Sequence, residues 1–270
     1  MEVPTVRPLR ICITLYAYGD LRADVFPCHM DLIASICTER RQVQWFTIRE
    51  DALISRSRCR ATQQFLASGA DVWLQLDHDI SWTEPADLWR LCDLAATHDA
   101  AIQIPYAKRG NPPAPSHRPH PDHPLPAPGT DALTPILMAA SGCLAITRTA
   151  LLRTLDLCRT DAVPPYARIH DAYDSYLGAP MPTLWHPIVI PVTIPGQTPA
   201  DSFEYLSEDY SASVRLALAS VPLLAWTRPT LKHWGMYGYS LATDPAATTT
   251  TTNNAFHDSS SPGPTNAAIP

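Results

Sequence analysis

Apolar and polar positions alternate with two different periods along the first hundred residues. Four runs are mostly apolar and of strand length, and the first is also β-branched: residues 10–16, 42–48, 71–76 and 100–106. Three stretches between them carry apolar residues at helical spacing: residues 24–37, 56–68 and the segment after Pro85. Gly69 and Pro85 fit these helices, because glycine commonly follows a helix and proline is accepted in a first turn. The succession predicts an α/β sheet whose first strand is buried.

Prolines interrupt this alternation at residues 110–128. The segment holds eight prolines and three histidines, and proline lacks the amide donor that a helix or a central strand requires. We therefore predict a long Pro/His-rich loop. Beyond it, six segments regain a pattern: apolar runs at 136–141 and 143–146, an edge-type strand at 185–194, a short strand at 223–226, and helices at 149–157 and 207–220.

The last residues differ in composition from the rest of the chain. Residues 242–270 are mostly Thr, Asn, Ser, Pro and Ala without a period, which is typical of disorder. A single folded domain is therefore expected over residues 1–241, followed by a disordered tail.

Composition narrows the class of protein. Of the 270 residues, 46% are apolar and 17% are charged, so a sizeable core is expected. No apolar run approaches the ~20 residues of a membrane span, and the first residues lack a signal-peptide pattern, so we expect no membrane partner and a cytoplasmic location. Seven cysteines form no CxxC pair, and most are expected to be buried thiols. The net charge of −6 argues against broad electrostatic coating of nucleic acid but not against a local basic groove.

The strongest chemical signal is Asp77-His78-Asp79, which directly follows the apolar run DVWLQL. Open α/β sheets bind ligands beyond the carboxyl ends of their strands, so both carboxylates are expected at such a crevice. Two carboxylates there can hold a hard divalent cation together with waters and a nucleotide diphosphate. The alternative is a solvated or helix-capping acidic pair, since a bare Asp-x-Asp motif is weakly specific.

The chain carries five segments that, in this order, resemble the GT-A family of nucleotide-sugar glycosyltransferases: ISRSRCRATQQFLASGADVWLQLDHDISW, IPYAKR, AASGCLAITRTAL, YLSEDYSASVRLALASVPLLAW and LKHWGMYGY. The resemblance extends over about residues 10–239. It implies a Rossmann-like GT-A fold of the α/β class, with a mixed central sheet flanked by helices and the Asp-x-Asp motif at the end of a central strand. It also implies transfer of a sugar from a UDP-sugar, or another NDP-sugar, to an acceptor hydroxyl, with Mn²⁺ or Mg²⁺ as cofactor.

The same resemblance implies roles for individual residues around the donor. Asp79 would ligate the metal, Asp77 would contact the ribose or the metal through water, and His233 would complete the metal shell. Further contacts to the nucleotide-sugar are expected from seven positions: His78 in the acidic motif, Thr14 and Tyr16 at the nucleobase, Arg56 and Arg58 on the preceding helix, and Ser141 and Gly142 at the donor sugar.

Catalysis and acceptor binding are assigned in the same way. Glu208 and Asp209 match an acidic pair that supplies the base or orients the acceptor hydroxyl, although acidic residues are also favoured in a helix first turn for electrostatic reasons. A base is needed only if the anomeric configuration is inverted, which the sequence leaves open. Candidate acceptor contacts are Lys108, Arg109, Trp234 and Tyr237, and the first two, or Arg58, could also stabilise the leaving diphosphate.

The acceptor itself has more than one candidate. The resemblance includes TET-associated bacteriophage enzymes that glycosylate 5-hydroxymethylcytosine, which makes hydroxymethylated DNA in a host cytoplasm one candidate. That acceptor requires base extrusion and a basic channel, for which the candidates are Arg40, Arg41, Arg56, Arg60, Lys108, Arg109 and Arg118. A polysaccharide or protein acceptor is the alternative. Two more distant alternatives are a sugar nucleotidyltransferase and an inactive nucleotide-sugar-binding module. The segment ITLYAYGDLR lacks the Gly-rich phosphate loop that is usual in nucleotidyltransferases.

Overall fold

The computed structural model describes residues 7–39, 41–49, 51–109, 113–192, 202–235 and 238–240. Its helices are α1 (Phe26–Thr38), α2 (Ile54–Ser68), α3 (Pro85–His98), α4 (Arg148–Cys158) and α5 (Glu208–Leu218). Its strands are β1 (Arg10–Ala17), β2 (Gln42–Arg49), β3 (Val72–Asp77), β4 (Ile80–Trp82), β5 (Ala101–Gln103), β6 (Arg118–Pro119), β7 (Leu133–Met138), β8 (Cys143–Thr147), β9 (Asp171–Asp174), β10 (Ala179–Pro182), β11 (Ile188–Pro191), β12 (Phe203–Leu206), β13 (Leu223–Trp226), β14 (Leu231–Trp234) and β15 (Gly238–Ser240). The tail and Tyr237 lie outside the described residues.

One large mixed sheet organises the fold. Eight strands follow the order β2-β1-β3-β8-β5-β13-β7-β6. The pairs β1–β2, β1–β3 and β5–β13 are parallel, whereas β8 runs antiparallel to both β3 and β5. The strand that carries the acidic motif, β3, therefore lies near the middle of the sheet. This confirms the predicted fold class of a mixed central sheet flanked by helices, with Asp-x-Asp at the end of a central strand.

Helices cover both faces of this sheet, because successive side chains of a strand point to opposite sides. On β1, Ile11 and Ile13 belong to the cluster that α1 and α3 complete. Cys12 and Tyr16 belong to the opposite cluster, which α2, α4 and α5 complete. Trp73 lies fully buried in that second cluster. The helix α5, which begins at the predicted acidic pair, is thus packed on the same side of the sheet as α2.

Several elements depart from the predicted pattern. The predicted strand at 100–106 is only three residues long in β5, because the chain turns away at Pro105 and Tyr106 O accepts a hydrogen bond from Ser116 N. The Pro/His-rich loop contains β6, which pairs with β7 at the sheet edge, where proline is tolerated. The short strands β4, β9, β10, β12 and β14 were not predicted. Two of them, β4 and β14, pair with each other and build the site described below.

Buried thiols were predicted for most cysteines, and this is confirmed. All seven are free, and six are buried, whereas Cys37 is exposed. Within the described segments, no helix combines the length and apolar character needed to cross a bilayer.

Candidate active site

The two aspartates of the acidic motif lie in a tight turn between β3 and β4. Backbone hydrogen bonds fix the turn on both sides: Asp77 N donates to Gly142 O at 2.9 Å, and His78 N donates to Tyr16 O at 3.0 Å. Because β1 and β8 flank β3, the turn is anchored to the ends of both neighbouring strands. The motif therefore lies at the carboxyl end of a central strand, as the sequence predicted.

His233 is brought to this turn by the pairing of β14 with β4. Its neighbour Trp234 donates its backbone N–H to Asp79 O at 2.7 Å. The His233 Nδ1 atom lies 3.0 Å from Ala107 O, a carbonyl that accepts only from a protonated nitrogen. The other ring nitrogen, Nε2, lies 3.6 Å from Asp79 Oδ1. Burial lowers the pKa of His233, which favours the neutral imidazole that ligates metals.

Asp79 and His233 together fit a divalent cation. Asp79 is 7% exposed, and its Oδ1 atom is buried without a hydrogen-bond partner, a costly state that a cation would relieve. Its Oδ2 atom forms an ion pair with Arg109. Within the described residues, no three His, Cys, Asp or Glu side chains converge as metal ligands. The protein would thus supply two donors, and waters and a diphosphate would supply the others, as is usual for Mg²⁺ sites.

Arg58 connects this motif to the acidic pair at the start of α5. The side chain is 2% exposed, and its Nη2 atom lies 3.2 Å from Asp77 Oδ1. Its Nε atom lies 3.4 Å from Asp209 Oδ1 and 3.8 Å from Glu208 Oε1. The guanidinium also lies over the ring of Tyr16, 4.6 Å from the centroid. Burial opposes the charge of Arg58, but the surrounding carboxylates outweigh burial and raise its pKa.

The acidic pair itself is asymmetric. Burial raises the pKa of Glu208 to about 7, the charge of Asp209 adds to the increase, and Arg58 opposes it. Asp209 instead accepts a hydrogen bond from the buried Ser141 hydroxyl at 2.5 Å. Asp209 also lines an open cleft, together with Asp77 and Asp79. It is the better placed of the two to meet a second substrate.

Gly142 has a steric reason to be glycine. A Cβ atom at this position would lie 2.5 Å from the Tyr106 hydroxyl oxygen and 2.6 Å from Ile80 Cδ1. Its backbone N–H donates to the Tyr106 hydroxyl at 3.3 Å. Close packing of Tyr106 on the chain between β7 and β8 therefore requires the missing side chain. Tyr106 in turn forms part of the wall of the cleft that Asp209 lines.

Two clefts meet at the acidic motif. The first has a volume of about 150 Å³ and is lined by Tyr16, Ala17, Tyr18, Ile48, Asp51, Ile54, Ser57, Asp77, His78 and Asp79. The second has a volume of about 340 Å³ and is lined by Asp77, Asp79, Tyr106, Lys108, Arg109, Ser116, Ala140, Ser207, Asp209, Tyr210 and His233. Asp77 and Asp79 belong to both walls. The geometry is that of two adjoining ligand spaces with a shared acidic boundary.

Some predicted site residues lie apart from these clefts. Thr14 is fully buried, and its hydroxyl accepts a hydrogen bond from Trp73 Nε1 at 3.0 Å, so its side chain does not reach the cleft wall. Arg56 lies in a neighbouring depression and pairs with Asp51 at 2.6 Å. Trp234 donates its indole N–H to Ser81 Oγ at 2.8 Å. Tyr237 is outside the described residues.

Other predicted residues lie together in the two cleft walls: Tyr16, Asp77, His78, Asp79, Lys108, Arg109, Asp209 and His233. Sequence reasoning missed Tyr106, Tyr210 and Ser116. Tyr210 donates its hydroxyl to Ser116 O at 3.0 Å, and Lys108 Nζ lies 3.3 Å from the same hydroxyl. A signal was present for two of them, because Tyr106 belongs to the segment IPYAKR and Tyr210 directly follows Asp209.

Comparison with known proteins found structural likeness only. No protein-family model and no curated protein matches the chain. The solved structure of A197 from STIV is 11% identical, with a TM-score of 0.49 over 84% of this chain and 86% of that one. GalNAc-T7 with UDP, GalNAc and Mn²⁺ is 9% identical, with a TM-score of 0.46 over 84% of this chain but only 44% of its own. A glycosyltransferase involved in glycosylation of the major capsid of PBCV-1 is 13% identical, with a TM-score of 0.31 over 57% and 69%.

At these identities and TM-scores the likeness carries no argument about activity. What the residues define by themselves is a mixed α/β protein with a two-cleft acidic site. Its chemistry must be argued from the site.

Proposed function

We propose that this protein is a metal-dependent glycosyltransferase that moves a sugar from an NDP-sugar, with UDP favoured as the nucleotide, to an acceptor hydroxyl. The observation that carries the proposal is the unpartnered, buried Oδ1 atom of Asp79, which lies 3.6 Å from His233 Nε2 at the boundary of two clefts. A cation held there would neutralise a diphosphate at this boundary, with the nucleoside in the first cleft and the acceptor in the second.

The first cleft suits a nucleoside. Its walls combine the aromatic residues Tyr16 and Tyr18 with the small residues Ala17 and Ser57, and aromatic side chains can stack on a nucleobase. UDP is favoured as the nucleotide by the family resemblance. Asp77 and His78, which also line this cleft, are expected to contact the ribose.

Asp79 and His233 would hold Mn²⁺ or Mg²⁺, which would neutralise negative charge on the leaving diphosphate. Arg109, ion-paired to Asp79, and Lys108, which lies over the Tyr210 ring, are the cationic side chains of the second cleft. They are placed to stabilise the same developing charge. Arg58 is too deeply buried for that role and instead holds Asp77 and Asp209 in place.

Asp209 is the proposed general base for an inverting transfer. Its carboxylate takes the proton of the acceptor hydroxyl as the acceptor oxygen bonds to the anomeric carbon. The bond from that carbon to the diphosphate oxygen breaks in the same step, and the nucleoside diphosphate leaves with the bonding electrons. Glu208 does not line the second cleft, so it is less well placed than Asp209 to meet the acceptor hydroxyl.

The charge distribution favours a glycan or protein hydroxyl as acceptor over DNA. A DNA channel requires unpaired basic side chains, yet four candidate arginines in the described part of the chain are matched by carboxylates. The pairs are Arg41 with Asp93, Arg56 with Asp51, Arg60 with Asp174, and Arg118 with Glu204. Arg40 lies outside the described residues. Hydroxymethylated DNA remains a prediction of the resemblance, and a cytoplasmic location remains a prediction from the sequence pattern.

Product analysis with a panel of UDP- and GDP-sugars tests the proposal. We expect release of nucleoside diphosphate with Mn²⁺, loss of that release in Asp79→Asn, and full release in Asp156→Asn, a matched change at an exposed carboxylate on α4. Pyrophosphate chemistry would instead identify a nucleotidyltransferase, and donor binding without turnover would identify a binding module. Adding hydroxymethylated DNA, oligosaccharides or peptides as acceptors decides the acceptor class.

A further inference from the structure

A third pocket, larger than either cleft of the proposed site, is formed largely by the Pro/His-rich loop. It has a volume of about 410 Å³, within the usual range of small-molecule sites. Seven of its twelve lining residues are prolines: Pro105, Pro115, Pro119, Pro124, Pro126, Pro128 and Pro229. The remaining lining residues are His117, Leu125, Thr227, Thr230 and Leu231. None of these residues lines either cleft of the proposed active site.

The walls of this pocket are rigid and nearly free of hydrogen-bonding groups. Proline has a fixed ring and no backbone N–H, so little conformational freedom is lost when a ligand packs against it. The Thr227 hydroxyl already donates to Thr130 O at 3.0 Å. Flat, preformed apolar walls of this kind suit a planar ring better than a flexible chain.

His117 is the exception to this apolar lining. It is 6% exposed, and its Nδ1 atom is buried without a hydrogen-bond partner in the described part of the chain. An unpaired buried polar atom is unfavourable, so a ligand that pairs with it gains an interaction that the empty protein lacks. Burial lowers the pKa of His117, with Lys108 adding to the effect, so the ring is neutral near neutral pH. A neutral imidazole nitrogen accepts or donates according to tautomer, and a hydroxyl group satisfies either state.

We propose that this pocket binds an aromatic ring that carries a hydroxyl group, with the ring packed against the proline walls and the hydroxyl paired with His117 Nδ1. The ring can belong to a free phenolic molecule or to a tyrosine side chain, since both present the same chemistry. The proposal is independent of the proposed sugar transfer, because it uses none of the residues assigned to that reaction.

The pocket and the second cleft are built from the same backbone segments. Pro105 directly precedes Tyr106, Pro115 directly precedes Ser116, and Leu231 lies two residues before His233 on β14. Tyr106, Ser116 and His233 all line the second cleft.

Binding of phenol and toluene to the full chain, followed by NMR titration, tests the proposal. The two probes have nearly the same shape, but only phenol has a hydroxyl. In His117→Phe we expect phenol affinity to fall about fivefold, the worth of one neutral hydrogen bond, and toluene affinity to stay within about twofold. Thr230→Trp, which adds bulk at an exposed lining position, is expected to abolish binding of both probes. Thr38→Trp, at an exposed position on α1, should leave both unchanged.

Three outcomes overturn the proposal. The hydrogen bond is wrong if His117→Phe weakens phenol and toluene equally. The site is wrong if neither probe binds at its solubility limit, or if Thr230→Trp leaves binding intact.

Peptides distinguish the two sources of the ring. A polypeptide ligand is supported if a tyrosine peptide binds more tightly than both its phenylalanine counterpart and phenol. A free small molecule is supported if the tyrosine peptide binds no more tightly than phenol. We expect Asp79→Ala to bind both probes as tightly as the wild type, because Asp79 does not line this pocket. Probe binding therefore tests this proposal separately from the proposed sugar transfer.

Discussion

Arg58 Nη2 lies 3.2 Å from Asp77 Oδ1, and the Arg58 side chain is almost completely buried. The same guanidinium faces Asp209 and Glu208 on α5. One buried cation therefore compensates carboxylates from both clefts of the proposed site. The spacing between the acidic motif and the proposed base depends on this side chain.

Replacement of Arg58 should destabilise the fold as well as abolish activity. In Arg58→Met three carboxylates lose their common counter-ion, and removal of one partner of a buried ion pair commonly costs about 3–5 kcal/mol. Arg58→Lys keeps the charge and should recover part of the free energy of unfolding, although it loses the planar guanidinium that contacts Tyr16. Urea denaturation measures both variants, and Arg56→Met, at a partly exposed position on the same helix, is the control. Equal stability of Arg58→Met and wild type would contradict the assigned role.

The two acidic residues of α5 should differ in their kinetic effect. Asp209→Asn removes the proposed base without changing its size, so kcat should fall by a factor of about 10²–10⁴ with little change in the donor KM. Glu208→Gln should reduce kcat far less, because Glu208 does not line the second cleft. Steady-state kinetics with a saturating donor distinguishes the two. A larger loss in Glu208→Gln would move the base to that residue.

The raised pKa of Glu208 also predicts how the stability of the protein depends on pH. Its pKa in the folded protein is raised to about 7 from an ordinary value of 4.5, so the folded state binds more protons than the unfolded state between these values. The free energy of unfolding therefore loses a contribution from Glu208 as pH rises from 4.5 to 7. Glu208→Gln lacks this loss, and its stability relative to wild type should increase across that interval and level off above it. Urea denaturation at a series of pH values checks the sign, and a flat difference would show that Glu208 titrates normally.

Gly142 provides a steric test of the site wall. In Gly142→Ala the added methyl group would meet Tyr106 and Ile80 at less than 3 Å, and overpacking of this kind costs about 1–3 kcal/mol. We expect a lower free energy of unfolding and, because Tyr106 lines the second cleft, weaker acceptor binding. Thermal denaturation and acceptor KM measure the two effects. Unchanged values for both would mean that Tyr106 moves aside freely.

The main helices and sheet strands were predictable, since their periods are local properties of the sequence. Residues 71–76 and the acidic motif after them were found because a buried strand that ends in two aspartates leaves a direct signal. The strands β4 and β14 were missed because each is only three or four residues long and is stabilised by pairing with the other. The position of His233 therefore came from the family resemblance.

The role of Arg58 was harder to predict. Arg56, Arg58 and Arg60 occupy alternate positions of α2, and of the three only Arg58 is buried. The spacing of Arg58, Thr62 and Phe65 matches the buried stripe of the helix and was the available signal. Ser207, the first residue of the predicted helix over residues 207–220, lies at the N-cap position of α5, and its side chain makes no capping hydrogen bond. The burial of Arg58 and its ion pairs depend on contacts between segments that are far apart in the sequence.

Calorimetric titration with UDP tests the central claim most directly, because it needs neither the acceptor nor the transferred sugar. We predict that the wild-type protein binds UDP with Mn²⁺ and binds it at least tenfold more weakly in EDTA. Asp79→Asn and His233→Gln should show the weak value even with Mn²⁺ present, since the first removes the negative charge of the carboxylate and the second removes the imidazole nitrogen. Equal UDP affinity with Mn²⁺ and with EDTA, or wild-type affinity in both variants, would contradict a metal-dependent nucleotide-sugar site at Asp79 and His233.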